Sequence, residues 1–202
     1  MKREDFLARV RHALHHKPGE PISRPPELLE PLAHWDSSLL VDAFRTELQT
    51  VGGHVHLVSN MQEARDLLPS LLQQCNAASF ICSHDPIVDE VLSVVSLPEA
   101  PDIAAADVGI TGVAYALANT GTMVLSSEAG RLASLLPMHH IALIRAEQVV
   151  PSMAEALELR LAQGSLPTAW VQATGPSRTA DIEFTLTTGV HGPGIVHAVV
   201  IR

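Results

Sequence analysis

Residues 174–194 read Thr-Gly-Pro-Ser-Arg-Thr-Ala-Asp-Ile-Glu-Phe-Thr-Leu-Thr-Thr-Gly-Val-His-Gly-Pro-Gly, and no other window of the chain combines turn residues, hydroxyls and charges as densely. The run 169–173 before it is typical of a short buried strand, which the Thr-Gly-Pro triplet ends. Ser177 stands where a helix would begin, and Gly189 stands where it would end. The stretch therefore predicts a strand, a turn and a helix, followed by a last apolar strand over residues 195–201.

The junction between this strand and the predicted helix is a candidate anion site. A helix that begins directly after a strand leaves unpaired backbone N–H groups pointing at one spot. Gly175, Pro176 and Ser177 would form the junction, and Arg178 adds a guanidinium suited to a carboxylate or a phosphate. A structural interpretation is also open, in which Arg178 pairs with Asp181 or Glu183 in the first turns of the same helix.

Composition limits the classes of protein to consider. Apolar residues make up 47% of the 202 residues and the mean hydropathy is +0.20, which indicates a folded chain with room for one sizeable α/β core. The formal net charge is −9 and aromatic residues are only 3%, so we expect no nucleic-acid partner. No uninterrupted apolar run is long enough to span a bilayer.

Cysteine and histidine usage predicts a cytoplasmic protein without a bound metal or cofactor. The N-terminal residues are charged and lack the apolar core of a signal peptide. Cys75 and Cys82, the two cysteines of the sequence, fit packing positions in a reducing compartment, and they are too few for an ordinary iron–sulfur cluster. We interpret His12, His15 and His16 as solvated, since no acidic or Cys partner stands at ligand spacing.

Two regions are predicted along the chain. Residues 1–35 hold an amphipathic helix and a Pro-rich linker, and residues 36–202 form one layered α/β domain with a largely parallel sheet. Apart from the C-terminal stretch, helices are predicted at about 37–51, 61–74, 86–95 and 151–163, and strands at 55–58, 77–82, 103–108, 123–126 and 141–144. The segment 109–112 reads as a strand-to-helix junction, and 119–122 as a turn.

Ligands of open parallel sheets lie beyond the carboxyl ends of the strands. On the predicted elements, the turns at 109–111, 126–130 and 174–178 are three such ends. We therefore expect them to converge on one crevice.

Several blocks of the C-terminal half resemble the lactate-utilisation domain (LUD) family in the same order. They are Gly-Ile-Thr at 109–111, Asn-Thr-Gly-Thr at 119–122, Ser-Leu-Leu-Pro-Met-His-His-Ile at 134–141, Thr-Gly-Pro-Ser-Arg-Thr-Ala-Asp-Ile-Glu at 174–183 and Gly-Val-His-Gly-Pro at 189–193. One departure is Ser-Ser-Glu-Ala-Gly-Arg at 126–131, where many relatives are richer in glycine.

The resemblance implies a fold like that of the NagB/RpiA/CoA-transferase group. It also implies a role in oxidising L-lactate to pyruvate beside two partner proteins that carry iron–sulfur centres. The motif positions that come with it as a site are Thr111, Thr120, Gly121 and Thr122, together with residues 175–178. Their hydroxyls and the guanidinium would contact a small carboxylate or another anion.

Two residues are candidates for chemistry. His191 lies in a turn stiffened by Gly and Pro and could take the proton of a 2-hydroxy acid, or it could be a hydrogen-bonded turn residue. His139, His140 and His197 are weaker candidates, and of the adjacent pair one should face inward as a core histidine. Glu128 stands in Ser-Glu-Ala-Gly, which is similar to the Ser-Glu-Asn-Gly stretch that holds the nucleophilic glutamate of CoA transferases, or it is an exposed loop residue.

Three hypotheses remain from the sequence. The first is an accessory or substrate-handling subunit of a lactate-oxidising assembly, in which electrons leave through a partner. The second is a self-contained enzyme acting on a phosphate- or CoA-bearing substrate. The third is a structural subunit whose motifs only shape an interface. Assembly of this chain into a homo-oligomer is a separate alternative that the sequence leaves open.

Overall fold

The computed structural model describes residues 3–13, 36–179 and 187–202. The chain divides into two units, residues 1–33 and 34–202, and of the first unit helix α1 (Arg3–Ala13) is the described part. The second unit holds four α-helices within the described residues: α2 (Ser37–Thr50), α3 (Met61–Gln74), α4 (Pro86–Leu92) and α5 (Met153–Ala162). None of the described helices has the length and apolar character that crossing a bilayer requires.

The centre of the second unit is a parallel sheet of five strands in the order β1-β11-β6-β3-β2. The strands are β1 (His54–Val58), β2 (Phe80–Cys82), β3 (Val108–Gly112), β6 (His139–Arg145) and β11 (Ile195–Ile201). The C-terminal strand β11 lies between β1 and β6 and pairs with both in parallel. The predicted α/β fold with a largely parallel sheet is therefore confirmed.

Both faces of the central sheet are buried, as the apolar runs of its strands require. On β6, Ile141 and Leu143 face the core formed with α3 and α4, whereas Ala142 and Ile144 face the core formed with α2. This alternation follows from the two-residue period of a strand.

A second sheet, not predicted from the sequence, covers the α2 side. It has four strands in the order β7-β4-β5-β8: β4 (Tyr115–Leu117), β5 (Thr122–Ser126), β7 (Val149–Val150) and β8 (Trp170–Ala173). Its inner side chains, such as Met123 and Leu125, pack with Phe44 and Leu48 of α2. Its outer side packs against α5 around Tyr115 and Ala156.

The predicted helix starts agree with the caps that the structure shows. Asp36 accepts a hydrogen bond from the Ser38 N–H at 3.1 Å, and Asn60 accepts one from the Glu63 N–H at 3.0 Å. Asp85 caps α4, whose first residue is Pro86. Helix α5 differs from the expectation, because Ser152 caps it and Pro151 stands before the cap instead of inside the first turn.

Two predictions for residues 103–118 are wrong. Residues 103–105 form a 3₁₀ turn capped by Asp102, and the strand begins only at Val108. After Gly112 the chain continues into strand β4 instead of a helix, and β4 turns back through 119–121 into the antiparallel strand β5. The apolar run 113–118 fits a buried strand as well as a helix, and the second sheet decides between them.

The helix predicted to begin at Ser177 is also wrong. Arg178–Thr179 is strand β9, which pairs antiparallel with β10 (Thr187–Thr188). The predicted helix residues Asp181 and Glu183 lie outside the described residues. The β-branched threonines on both strands favour extended backbone, and this preference outweighs the helix-start pattern that the sequence suggested.

Candidate functional site

A cavity of about 380 Å³ lies at the carboxyl edge of the central sheet. Ser83 follows β2 and Gly112 ends β3, and the two are tied by a hydrogen bond from the Gly112 N–H to the Ser83 hydroxyl at 3.2 Å. The second sheet and α5 close the other sides. Side chains that line the cavity include Asp85, Tyr115, Ser126, Glu128, Gln148, Arg160 and Trp170. We call it the Glu128 cavity.

The predicted candidate Glu128 lies at the wall of this cavity, held by an arginine that sequence reasoning missed. Arg160 Nη2 donates to Glu128 Oε1 at 2.7 Å and to Oε2 at 2.8 Å. Arg160 belongs to α5, so this ion pair joins that helix to the loop that follows β5. From the sequence, a basic residue in the last turn of a helix is explained by its favourable interaction with the helix dipole. That explanation gives no reason to expect that Arg160 also pairs with Glu128.

Asp85 occupies the cavity beside Gly112. A Cβ atom at Gly112 would lie 2.4 Å from Asp85 Oδ2, so a larger residue here would push the Asp85 carboxylate away. Asp85 Oδ1 accepts a hydrogen bond from the Ile87 N–H, which fixes the carboxylate at the start of α4. With Asp85, Glu128 and Glu147 against Arg160, the charged residues of the cavity sum to a net negative charge.

Thr111 does not line this cavity, and its hydroxyl is already paired with another side chain. Its side chain is fully buried, and its Oγ1 lies 2.8 Å from His140 Nε2 on the neighbouring strand β6. Burial lowers the pKa of His140 to about 4, so the ring is neutral at pH 7. His140 is therefore the inward-facing core histidine that the strand pattern predicts.

Most of the predicted anion-binding residues come together elsewhere, around the end of α2. The Oγ1 atom of Thr122 lies 2.7 Å from that of Thr120 and 2.7 Å from that of Thr174, so three hydroxyls form a chain. Gly121, with φ +63°, packs so closely under α2 that a Cβ atom would lie 2.2 Å from the Leu48 N atom. We call Thr120, Gly121, Thr122, residues 174–176 and Arg178 the α2-end group.

The guanidinium of Arg178 contacts the same helix end. Its Nη2 donates to the Val51 carbonyl oxygen at 2.5 Å, and it covers Gly52. Gly175 and the ring of Pro176 pack against Val51 and Gly52 as well. A cation at the carbonyl end of a helix is favourable, and an anion there is not, so this contact favours a stabilising role for Arg178 at the end of α2. The predicted pairing of Arg178 with Asp181 or Glu183 lies outside the described residues.

The α2-end group and the Glu128 cavity lie at opposite ends of strand β5. Thr122 begins β5 near Ala173, whereas Ser126 ends it opposite Trp170. Four steps along an antiparallel strand span about 14 Å. The expectation that all three turns converge on one crevice is therefore wrong. Of the predicted turn 126–130, all residues but Ser127 line the cavity, whereas residues 109–111 and 174–178 do not. Gly112, next to the first of these turns, does line it.

Ser177 and His191 belong to a third place, the turn before β11. The Ser177 N–H donates to the Pro193 carbonyl at 2.8 Å, and the Gly189 N–H donates to the Ser177 carbonyl at 2.9 Å. His191 is exposed on this turn and does not line the Glu128 cavity. A proton-transfer role for His191 stays a prediction.

Histidines of neighbouring strands meet on one face of the central sheet, a cluster that sequence reasoning missed. His56 Nε2 lies 3.1 Å from His197 Nδ1, and the His54 ring stacks on His197 with centroids 4.9 Å apart. Burial first, and then the neighbouring histidines His54, His56 and His139, lower the pKa of His197 to about 4. The cluster could be predicted from the strand register only if the pairing of β1 with β11 were already known.

Within residues 3–13, 36–179 and 187–202, no group of three or more His, Cys, Asp or Glu side chains is arranged to hold a metal ion. Cys75 and Cys82 are both free thiols. Burial first, and then Glu99 and Asp89, raise the pKa of Cys82 to about 11, so this thiol is protonated at pH 7.

Comparison with known proteins places these features in a family. The sequence model of the LUD domain matches residues 100–201. "Lactate utilization protein C" of Halalkalibacterium halodurans is 47% identical over 94 residues, which are 44% of this chain and 41% of that protein. The protein of the same name from Bacillus subtilis is 44% identical over 94 residues, 44% of this chain and 39% of its own length. The chain therefore spans about two fifths of these first relatives.

Two further matches extend over most of the chain. "Lactate utilization protein C 1" of Bacillus mycoides is 30% identical over 217 residues, covering 95% of this chain and 93% of that protein. A DUF162 family protein of Deinococcus radiodurans, known from a crystal structure, has a TM-score of 0.61 at 22% identity and covers 83% of this chain and 99% of its own. That likeness shows the shared fold. With a family model over half of its residues and a relative matched over nearly its whole length, the chain belongs to the LUD domain family.

Proposed function

We propose that this protein is a subunit of a lactate-utilisation system that supports oxidation of L-lactate to pyruvate. The observation that carries the proposal is the match to proteins named lactate utilization protein C, one of them over 95% of this chain. We propose further that the electrons leave through partner proteins that carry iron–sulfur centres. Two free cysteines, one with its pKa raised to about 11, are a poor donor set for an ordinary four-thiolate cluster.

The Glu128 cavity is the place that we propose for a small carboxylate. It lies at the carboxyl edge of a parallel sheet, where ligands of such sheets bind, and about 380 Å³ accommodates a three-carbon acid. Its polar groups converge from several elements, including Ser83 after β2, Glu128 after β5 and Arg160 on α5. We also propose a cytoplasmic location, where both thiols would stay reduced.

The α2-end group is the second candidate site for the anion. Its support is the chain of three threonine hydroxyls and the exposed guanidinium of Arg178. Against it stands the carbonyl end of α2, whose partial negative charge Arg178 already neutralises. The cavity is therefore the first choice.

Reconstitution of lactate oxidation tests the proposed function. The purified protein is mixed with candidate iron–sulfur partner proteins, L-lactate and a soluble electron acceptor, which takes the two electrons that leave each lactate. Pyruvate is measured with each component omitted in turn. We expect pyruvate from the full mixture, and a loss of turnover when this chain is left out. Lactate oxidation by this chain alone, without added metal or flavin, would contradict a supporting role.

The alternative is a self-contained enzyme of the CoA-transferase-like group. The observation that favours it is the position of Glu128, whose carboxylate lines the cavity in a loop after a strand. This alternative requires a covalent adduct between the Glu128 carboxylate and the acyl group of an acyl-CoA, with release of the CoA thiolate. Intact-protein mass spectrometry would detect that adduct in the wild type and not in Glu128→Gln.

A further inference from the structure

We propose that Arg160 is the residue that binds the ligand's carboxylate, and that Glu128 occupies the ligand's place in the unliganded protein. The inference rests on the proposed function of the Glu128 cavity as a site for a small carboxylate. It names Arg160 as the cationic residue that binds the ligand and Glu128 as the carboxylate that competes with the ligand. It also gives the class of acid that the cavity prefers.

Arg160 is the one cationic side chain that lines the cavity among the described residues. Its side chain is only 21% exposed, and its Nη1 donates to Oε1 of Gln163, the C-cap residue of α5, at 3.3 Å, so the guanidinium is held by the end of its own helix. A guanidinium that is fixed before the ligand arrives loses little conformational entropy on binding.

The pairing of Arg160 with Glu128 is incomplete. Both carboxylate oxygens contact the same nitrogen, Nη2, at 2.7 and 2.8 Å. The neighbouring Nε is buried and has no hydrogen-bond partner within the described part of the chain. A carboxylate that lies side-on across Nε and Nη2 would pair with two donors instead of one. The buried, unpartnered donor therefore points to a better-fitting acid than Glu128.

The Glu128 side chain is placed so that a ligand can displace it from Arg160. Its side chain is 54% exposed, and besides the bonds from Arg160 its carboxylate accepts one from the Ser126 hydroxyl, whose Oγ lies 3.2 Å from Oε2. Gly130, two residues on, has φ +88° and no atom within 4 Å of a Cβ position, so the loop has open space around it. Because an ion pair with so exposed a partner contributes little free energy, a ligand can displace it.

Charge selects the class of ligand. The cavity carries a net negative charge. When a ligand carboxylate takes the place of the Glu128 carboxylate beside Arg160, that net charge does not become more negative. A second carboxylate on the ligand would face Asp85 and Glu147, which also line the cavity. We therefore expect monocarboxylates with a hydroxyl or carbonyl group, such as lactate and pyruvate, to bind in preference to dicarboxylates such as malate.

Equilibrium binding to the full chain tests the inference. Pyruvate, L-lactate and malate are titrated by calorimetry into wild type, Glu128→Ala, Arg160→Met and Glu90→Ala. We expect pyruvate to bind Glu128→Ala about two- to fivefold more tightly than wild type, since the competitor is gone. Arg160→Met should lose at least about tenfold in affinity. Glu90→Ala is the matched control, because Glu90 pairs with Arg65 and Arg145 and does not line the cavity.

A direct readout separates binding from a general structural effect. The ¹⁵Nε resonance of Arg160 should shift on addition of pyruvate, and Arg160→Lys, which keeps the charge but not the paired donors, should bind less tightly than wild type. Circular dichroism establishes that each variant is folded. Wild-type affinity in a folded Arg160→Met, or no gain in Glu128→Ala, would overturn the inference. If lactate oxidation needs this chain but neither wild type nor any variant binds a carboxylate, this inference fails and the proposed role in lactate oxidation stands. If the chain binds pyruvate through Arg160 but has no role in lactate oxidation, the inference stands and the proposed function fails.

Discussion

The hydroxyl of Thr111 and the Nε2 atom of His140 lie 2.8 Å apart between the adjacent parallel strands β3 and β6. Both side chains are buried, so this polar pair is sealed inside the sheet that positions the Glu128 cavity. Desolvation lowers the pKa of His140 to about 4, against 6.5 for an exposed histidine. Protonation of that ring inside the folded protein is therefore unfavourable.

This burial predicts a loss of stability in mild acid. The unfolded chain takes up a proton at His140 below pH 6.5, and the folded chain does so only near pH 4, so the free energy of unfolding falls as the pH drops from 6.5 to 4. The shift corresponds to at most about 3 kcal/mol for this group. Urea unfolding at pH 7, 6, 5 and 4 should show the decline, with a shallower one in His140→Gln. Equal slopes for the two proteins would exclude His140 as the cause.

Arg178 is expected to stabilise the fold more than it binds a ligand. Arg178→Met removes the hydrogen bond to the Val51 carbonyl at the end of α2, and we expect a loss of about 1 kcal/mol in the free energy of unfolding. Pyruvate affinity should remain that of wild type. Loss of pyruvate binding in a folded Arg178→Met would instead locate the anion at the α2-end group, as the sequence alone suggested.

Gly121 has no room for a side chain. Gly121→Ala places a Cβ atom 2.2 Å from the Leu48 N atom at φ +63°, and we expect a cost of more than about 2 kcal/mol because backbone must move. Gly130→Ala is the matched control: it has φ +88° but nothing within 4 Å, so only the backbone strain of about 1 kcal/mol applies. Chemical denaturation compares the two, and equal losses would contradict the packing argument.

The hydroxyl chain of the α2-end group predicts a further effect on stability. Thr122 is 4% exposed, and its Oγ1 contacts both Thr120 and Thr174. Thr122→Val keeps the shape but removes the shared partner, which should cost about 1–3 kcal/mol. Thr46→Val is a suitable comparison, since Thr46 bonds the Asp42 carbonyl on the exposed side of α2 and should change stability far less. Similar losses would show that the buried chain adds nothing.

Local patterns predict the caps and the central strands but not the second sheet. Asn60 and Asp85 stand before regular apolar periods, so their helices are fixed by short-range chemistry. The run 113–118 and the threonines near 187 are compatible with helix and strand alike, and only pairing with β5 and with β9 selects the strand. Long-range pairing of this kind cannot be predicted from one window of sequence.

The candidate site is predictable only in part for the same reason. Glu128 stands in a loop with a recognisable sequence, whereas Arg160 looks like an ordinary basic residue near a helix end. The two residues stand 32 positions apart, and α5 brings them together. The hydroxyls of Thr120 and Thr122 meet that of Thr174, and Arg178 contacts the end of α2. That helix end could not be predicted as their partner from their own segments.

A crystal structure of the protein grown with saturating pyruvate tests the central claim most directly. We expect one pyruvate in the Glu128 cavity, its carboxylate across Nε and Nη2 of Arg160, and the Glu128 side chain turned toward water. Pyruvate bound at Arg178 and Thr122, or an empty cavity with the Arg160–Glu128 pair intact, would contradict it.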